Sequence, residues 1–281
     1  MRAVVLDYDR QPRLDEVAEP GGEGELAHVR ACGLCGSDVE KIGRASPGTV
    51  LGHEVVAARD SGERVVLVHH LPCGECGRCR AGHESTCERF SEATIRPGGF
   101  AERARSDAFV PLPDPIGDAL GTYAEPLACV LRGAERVPRG RLLVVGGGFI
   151  GQLFAALLRH RGDEVFVHDR VPERATGLPD APVDAAVLCA RGGVATALAA
   201  LTPGGVVLVF ADAGWLDLDP VYRSELTVVG SRSAAPRHVR EAIDLLPALD
   251  LPEPVTLPLE KFPEGLDLYR RGEAVKVVFT P

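Results

Sequence analysis

Eight cysteines occur in the 281 residues, and four of them fall within fifteen positions as Cys73-x2-Cys76-x2-Cys79-x7-Cys87. Four thiolates at this spacing close a tetrahedral shell around one Zn²⁺ and leave no position for water, which makes such a site structural. It ties down a polar, glycine-containing loop and adds folding energy that the loop lacks. An iron–sulfur cluster is also held by four thiolates. A redox-active C-x-x-C is set aside, because two overlapping steps are followed by a fourth cysteine.

A second set of donors is dispersed. Cys35 lies in ACGLCGSD, His53 and Glu54 lie in LGHEVV, and Glu125 opens EPLACVL. A thiolate, an imidazole and a carboxylate are ligands that leave a zinc position open to water or an alcohol. Singly, each has an ordinary explanation: a lone Cys is usually a small buried hydrophobe. Their meaning comes from their company.

That company is Gly146-Gly147-Gly148-Phe149-Ile150-Gly151, a G-x-G-x-x-G pattern. It follows an apolar strand (Leu142–Val145) and opens an apolar helix (Phe149–Arg161), the setting a dinucleotide site requires. Gly146 permits the tight turn, Gly148 lets the backbone approach a pyrophosphate, and Gly151 lets the helix pack closely on the strand. The helix start at Phe149 and Ile150 offers N–H groups and a positive dipole end to phosphates. Asp169 stands 23 residues after Gly146, at the end of the next strand. A carboxylate there accepts hydrogen bonds from a ribose 2′-OH and repels a 2′-phosphate, which favours NAD over NADP. Arg170 follows at once and is the residue that would host such a phosphate.

These residues need two kinds of scaffold. Short apolar runs (Ala3–Leu6, Leu26–Val29, Val65–Val68, Ala108–Leu112) separated by Gly, Pro and charge indicate a β-rich domain. Beyond Pro115 the pattern changes. Ala119–Ala134 reads as a helix disturbed by Pro126, and strands then alternate with helices: Leu142–Val145, Glu164–His168, Ala185–Cys189, Val206–Phe210 and Leu226–Val229, with Val194–Leu201 helical between two of them. Alternation of this kind implies a parallel sheet covered on both faces. Ala235–Leu246 reads as a further helix. The tail from Pro252, including Ala274–Phe279, reads as strand-like pieces returning to the first domain. The expected division is therefore residues 1–118 with 253–281 against residues 119–252.

A net charge of −9, with 45% apolar and 25% charged residues, describes an ordinary globular chain. It argues against nucleic acid as a partner, since phosphate binding needs clustered Lys and Arg. The N-terminal apolar run is too short for a signal peptide, and no stretch reaches the roughly 20 apolar residues of a membrane span. A cytoplasmic, small-molecule role with no membrane partner is expected, and metal binding is favoured over disulfides.

With these motifs in order, the sequence resembles the zinc-containing medium-chain alcohol dehydrogenases, most of all the polyol (sorbitol and threonine) branch. ACGLCGSD, GHE, the four-Cys loop, PGGFAE, EPLACVLRG, GGGFIG and EAVKVVF carry the resemblance over almost the whole chain. It implies an α/β protein: a Rossmann doubly wound domain binding NAD(H), plus a β-rich GroES-like catalytic domain with one catalytic and one structural zinc. It implies Cys35 and His53 as catalytic zinc ligands and Glu54 as a carboxylate that binds or exchanges at the metal. Glu125 matches the third protein ligand or a group bonded to the zinc water, Ser37 the hydroxyl that receives the alcohol proton, and Asp38 the acid that orients the zinc-bound imidazole. Homodimers or homotetramers are also implied, through an edge strand near Leu226–Val229.

Three departures stand out. Glu40 occupies a position where many polyol-branch members carry a relay His. Only 17 residues lie between Cys35 and His53, and 19 between His53 and Cys73. The stretch from Arg170 to Val183 is too brief for the usual helix and strand. Alternatives follow: a reductase of the corresponding ketone using NADP(H), or a zinc- and nucleotide-binding module without catalysis. Tyr123 and Trp215 are candidate pocket aromatics, although isolated aromatics more often belong to a core or interface.

Overall fold

The computed structural model describes residues 1–89 and 94–281. The chain forms two compact units: Met1–Ala128 with Ala234–Pro247 and Glu253–Pro281, and Cys129–Ser233 with Ala248–Pro252.

The first unit is built on an antiparallel sheet around Glu25–Gly33. That strand pairs with Glu54–Arg59, which continues to Arg64–Leu67 and then Phe109–Pro111. Val55, Val56, Ala57, Val65, Val66 and Leu67 are all buried, so the two middle strands carry apolar side chains on both faces. Each fully buried Val or Leu contributes about 1.5–3 kcal/mol relative to exposure. Phe100, Phe262 and Phe279 close the other end of this core with edge-on and stacked ring contacts.

The tail departs from the strand-like expectation. Val255–Pro258 and Val277–Thr280 are strands, paired in parallel, and the second lies against Glu25–Gly33. Between them Phe262–Arg270 is an α-helix. Its apolar residues Phe262, Leu266 and Tyr269 recur at helical spacing, Pro263 sits harmlessly in the first turn, and Gly272 follows the end at φ +69. The helix expected over Ala119–Ala134 is two, Asp118–Gly121 and Ala124–Ala134. Pro126 falls in the first turn of the second, where its missing N–H is not needed, and the Tyr123 carbonyl accepts from Leu127 N–H.

Residues 119–128 and the helix Pro236–Leu245 belong to the first unit, in contrast to the boundary expected at residue 118. Asp118 accepts from Arg30 and Arg64 at 3.0 and 2.9 Å, and Arg237 pairs with Glu84 at 2.8 Å, which anchors both segments there.

The second unit is a five-stranded parallel sheet ordered Glu164–His168, Arg141–Val145, Val183–Leu188, Leu201–Val209, Thr227–Gly230. The Rossmann order has a further strand outside Glu164–His168. Here residues 169–182 contain only the 3-10 turn Pro172–Arg174, as the short spacing requires. This loop caps the bare edge: Thr176 N–H donates to Val167 O and Thr176 Oγ1 accepts from Val167 N–H, both at 2.8 Å. An uncovered edge would otherwise invite pairing with another chain.

The returning loop also leans on the glycine-rich turn. A Cβ on Gly147 would stand 2.4 Å from the Arg174 carbonyl oxygen, whereas one on Gly148 would meet nothing within 4 Å. Gly147→Ala is therefore expected to lower stability by about 1–3 kcal/mol, as overpacking does, and Gly148→Ala to leave it unchanged. Thermal unfolding of the two variants checks this, and equal melting temperatures would disprove the packing account.

Candidate active site and metal centres

Antiparallel register builds the first cluster. Gly33 faces Glu54 across the strand pair, so Cys35, just beyond one strand, and His53, just before the other, emerge at the same end of the sheet. Ligand atoms of Cys35, His53 and Glu54 lie within 4.8 Å of one another. Gly52, at φ +96, turns the chain into His53, and a Cβ there would strike Cys32 Sγ and Phe100 N. Only glycine suits that position.

Asp38, in the first turn of Gly36–Lys41, organises the cluster. Its carboxylate accepts from Cys35 N–H at 3.1 Å and Gly52 N–H at 3.2 Å, and it lies 3.3 Å from His53 Nδ1. Burial alone would raise the Asp38 carboxyl, but His53 and the two amides hold it below the usual range. Burial likewise opposes charge on His53, yet Asp38 and Cys35 outweigh it and lift the imidazole well above its ordinary value. With Nδ1 turned to Asp38, Nε2 is the nitrogen left for a metal. Ser37 Oγ donates to Cys35 Sγ at 3.4 Å, so its hydroxyl stands beside the ligand set.

Glu54 is fully buried and pairs with the equally buried Lys276, which also donates to Leu34 O at 3.2 Å. A Cβ on Gly33 would stand 2.0 Å from the Glu54 carboxylate, so the bare glycine makes room for the pair. Glu125 is buried at the start of Ala124–Ala134 and lies outside the Cys35–His53–Glu54 group. Glu40 is exposed on the same short helix as Ser37.

The four thiols Cys73, Cys76, Cys79 and Cys87 also converge within 4.8 Å. Cys73–Cys79 and Cys76–Cys87 sulfurs are each 3.9 Å apart. Tetrahedral zinc with bonds of about 2.3 Å sets its sulfurs about 3.8 Å apart, so this donor set fits the ion. Backbone N–H groups of Cys73 and Arg89 point at Cys87 Sγ, both at 3.3 Å, and Cys76 N–H at Cys73 Sγ at 3.4 Å. Amides of Glu75 and Cys76 bring the Cys73 thiol down to about 6. Such donors favour thiolate, the form that binds metal.

In the second unit, a cavity of 370 Å³ lies over the glycine-rich turn, lined by Gly146, Gly148, Asp169, Arg170, Arg174 and Thr196 among others. Gly146 has φ +104 and donates to His168 O at 2.8 Å. Gly151 packs so closely that a Cβ would stand 1.8 Å from Gly146 O, while the open space at Gly148 leaves a cradle for a ligand. Phe149 and Ile150, half-buried, begin the helix there. Asp169 accepts from Gly147 N–H at 2.6 Å and Val171 N–H at 2.8 Å. A carboxylate has about four lone-pair sites, so tying down the loop leaves it capacity for a ribose. The residues fit a dinucleotide.

Three neighbours of the first cluster had no motif to announce them. Lys276 sits inside the apolar run AVKVVF, where a lone Lys must be exposed or paired. Tyr269, on the tail helix, has its hydroxyl pushed up to about 12 by burial and then by Cys35, Glu54, Asp38 and Glu40. His69 stacks on His53 with ring centroids 4.6 Å apart, and burial and then His53, His70 and Lys41 bring it down to about 2. Of the two candidate aromatics, Tyr123 is in the core and Trp215 is 97% exposed.

The family model for the alcohol dehydrogenase GroES-like domain matches residues 22–114. An uncharacterised zinc-type alcohol dehydrogenase-like protein of Escherichia coli (strain K12) is 30% identical over 243 residues, 73% of this chain and 68% of its own length. The L-galactonate-5-dehydrogenase of the same organism is 30% identical over 178 residues, 57% of this chain and 52% of that protein. The chain thus spans about half the length of several curated relatives it matches. A zinc-binding dehydrogenase of Sinorhizobium meliloti 1021, solved with NADP bound, superposes with TM-score 0.83 at 26% identity, covering 100% of this chain and 99% of that one.

Two zinc ions per chain are expected by elemental analysis, falling to one in Cys35→Ala and one in Cys79→Ala. Zinc must displace the His53 proton. The raised imidazole stabilises the metal-free fold below its ordinary value, and that contribution is lost as pH rises through the raised one. Affinity at this centre should therefore climb with pH across that window, about tenfold per unit for one proton. A pH-independent affinity in chelator competition would show that His53 is not a ligand.

Proposed function

Because the chain belongs to the zinc-type alcohol dehydrogenase family, we propose that it transfers a hydride between a polyol or other secondary alcohol and a nicotinamide dinucleotide. The observation that supports this most is the convergence of Cys35, His53 and Glu54 with the Ser37 hydroxyl on the Cys35 sulfur. When bound, zinc supplies a Lewis acid for the alcohol oxygen and the dinucleotide supplies the hydride acceptor.

The remaining work is done by side chains. Cys35, His53 and Glu54 would hold the catalytic zinc, with Glu125 as a ligand or a partner of its water, and the four thiols would hold the structural zinc. Asp38 fixes the His53 tautomer. Ser37 receives the alcohol proton and hands it toward Glu40 or solvent. Lys276 balances the Glu54 charge, so that the buried carboxylate does not stand alone. Asp169 favours NAD, with Arg170 and Arg174 flanking the ribose end of the cavity.

We place the chain in the cytoplasm, where its eight free cysteines suit a reducing compartment. None of the helices among the described residues is long and apolar enough to cross a membrane. A homo-oligomer is proposed through Thr227–Gly230, an edge strand beside the exposed Leu218 and Tyr222. Val228→Lys should then shift the sedimentation coefficient toward a monomer, and an unchanged value would remove this edge from the interface.

Cys35→Ala should abolish NADH formation on a panel of polyols and secondary alcohols while the melting temperature and dinucleotide binding stay close to those of the parent. Retained turnover in this variant would sink the assignment.

A further inference from the structure

The turn Gly146–Gly151 carries no charged side chain. A pyrophosphate laid on it meets the N–H groups and dipole of the helix Phe149–His160, but no cation from the turn itself. Charge-assisted bonds from a guanidinium would supply what the turn lacks. Of the arginines lining the 370 Å³ cavity, Arg170 and Arg174 stand with Asp169 on one flank of Arg141–Val145. Arg191 stands on the other, in the loop after the neighbouring strand Val183–Leu188.

That loop is pressed against the first glycine of the motif. A Cβ on Gly146 would stand 2.6 Å from Ala190 Cβ, and one on Gly193 would stand 2.2 Å from Val145 Cγ1. Arg191, between Ala190 and Gly193, is thereby held beside the glycine turn. Its guanidinium pairs at 3.3 Å with Asp212, which follows the next strand, Leu201–Val209. These two side chains are 77 and 70% exposed, and an exposed ion pair is weak and screened by salt. Asp212 also accepts from Gly214 N–H at 3.1 Å, so it keeps a partner when the arginine turns away.

We propose that Arg191 binds the pyrophosphate of the dinucleotide and that Asp212 competes with that pyrophosphate for it. This rests on the dinucleotide part of the reading above. The strand order sets the glycine turn, Arg191 and Asp212 one after another along the carboxyl edge of the sheet, where ligands of such sheets bind. The guanidinium therefore stands between two anions and exchanges one for the other by side-chain rotation. Its planar fork matches phosphate oxygens with two parallel N–H bonds. By holding Arg191 back, Asp212 lowers dinucleotide affinity and speeds release.

The test measures NADH and NADPH binding, by the change in their fluorescence, to the parent, Arg191→Gln, Asp212→Asn and the double variant. Arg191→Gln should weaken NADH about tenfold, and Asp212→Asn should tighten it about threefold. A gain of affinity cannot come from misfolding. In the double variant the Asp212 change should add nothing, because the arginine it competes for is gone. Calorimetry with ADP-ribose, which keeps the pyrophosphate without the nicotinamide, should follow the same pattern. Adenosine, which has no phosphate, should bind all four proteins alike. Melting temperatures are compared throughout.

An unchanged NADH affinity in Arg191→Gln, an unchanged or weaker one in Asp212→Asn, or an equal loss with adenosine would each overturn the inference. So would a loss seen with NADPH and not with NADH, which would place Arg191 on the 2′-phosphate instead. Each of these leaves the dehydrogenase reading intact. A parent that binds neither dinucleotide would overturn both, and one that shows these affinities but oxidises no alcohol would overturn the dehydrogenase reading alone.

Discussion

The pairing of Glu25–Gly33 with Glu54–Arg59 is the constraint on which the rest of the first unit depends. Side chains along a strand alternate faces with a period of two, so a slip of one residue would exchange buried for exposed positions along the alternating stretch of Glu25–Gly33. The same slip would part Cys35 from His53. Because Val55, Val56 and Ala57 are buried and Gly33 must stand opposite Glu54 to clear its carboxylate, core packing and site geometry are enforced by one register.

That register also concentrates charge where water is absent. Asp38 and Glu54 are each about 1% exposed, a placement that is costly for a lone carboxylate. Each has its own compensation: Asp38 has His53 and two backbone amides, and Glu54 has Lys276 from the distant tail. The C-terminal strand therefore does more than complete a sheet. It delivers the cation that pairs with the buried Glu54 carboxylate.

The second unit shows how a Rossmann sheet survives the loss of an edge strand. Thr176 satisfies the exposed amide and carbonyl of Val167, and Asp169 anchors the same loop through two amides. The acid at the strand end thus ties this loop to the glycine-rich turn. Packing of this loop explains why the position between the first two glycines of the motif is itself glycine.

The parallel sheet, the four-thiol loop and the Cys35, His53 and Asp169 positions were legible in the sequence. Local spacing carries each of them: apolar runs alternating with helices, C-x2-C steps, and a glycine turn followed by an acid. The tail helix was legible in principle from Phe262, Leu266 and Tyr269, but Val, Lys and Phe near the end of the chain suggested strands throughout. Residues 119–128 and 234–247 belong to the first unit, where Asp118 and Arg237 form ion pairs with positions far away in the chain, a placement that no local spacing announces. His69, Tyr269 and Lys276 had no local signal at all. A lone His, Tyr or Lys is ordinary anywhere, and only tertiary contact places each beside the same cluster. Sequence alone determined which chemistry-bearing residues exist and on which elements they ride, because those patterns are short-range. Tertiary structure decided which distant groups charge, stack on and surround them, because burial and electrostatics depend on distances that no spacing encodes.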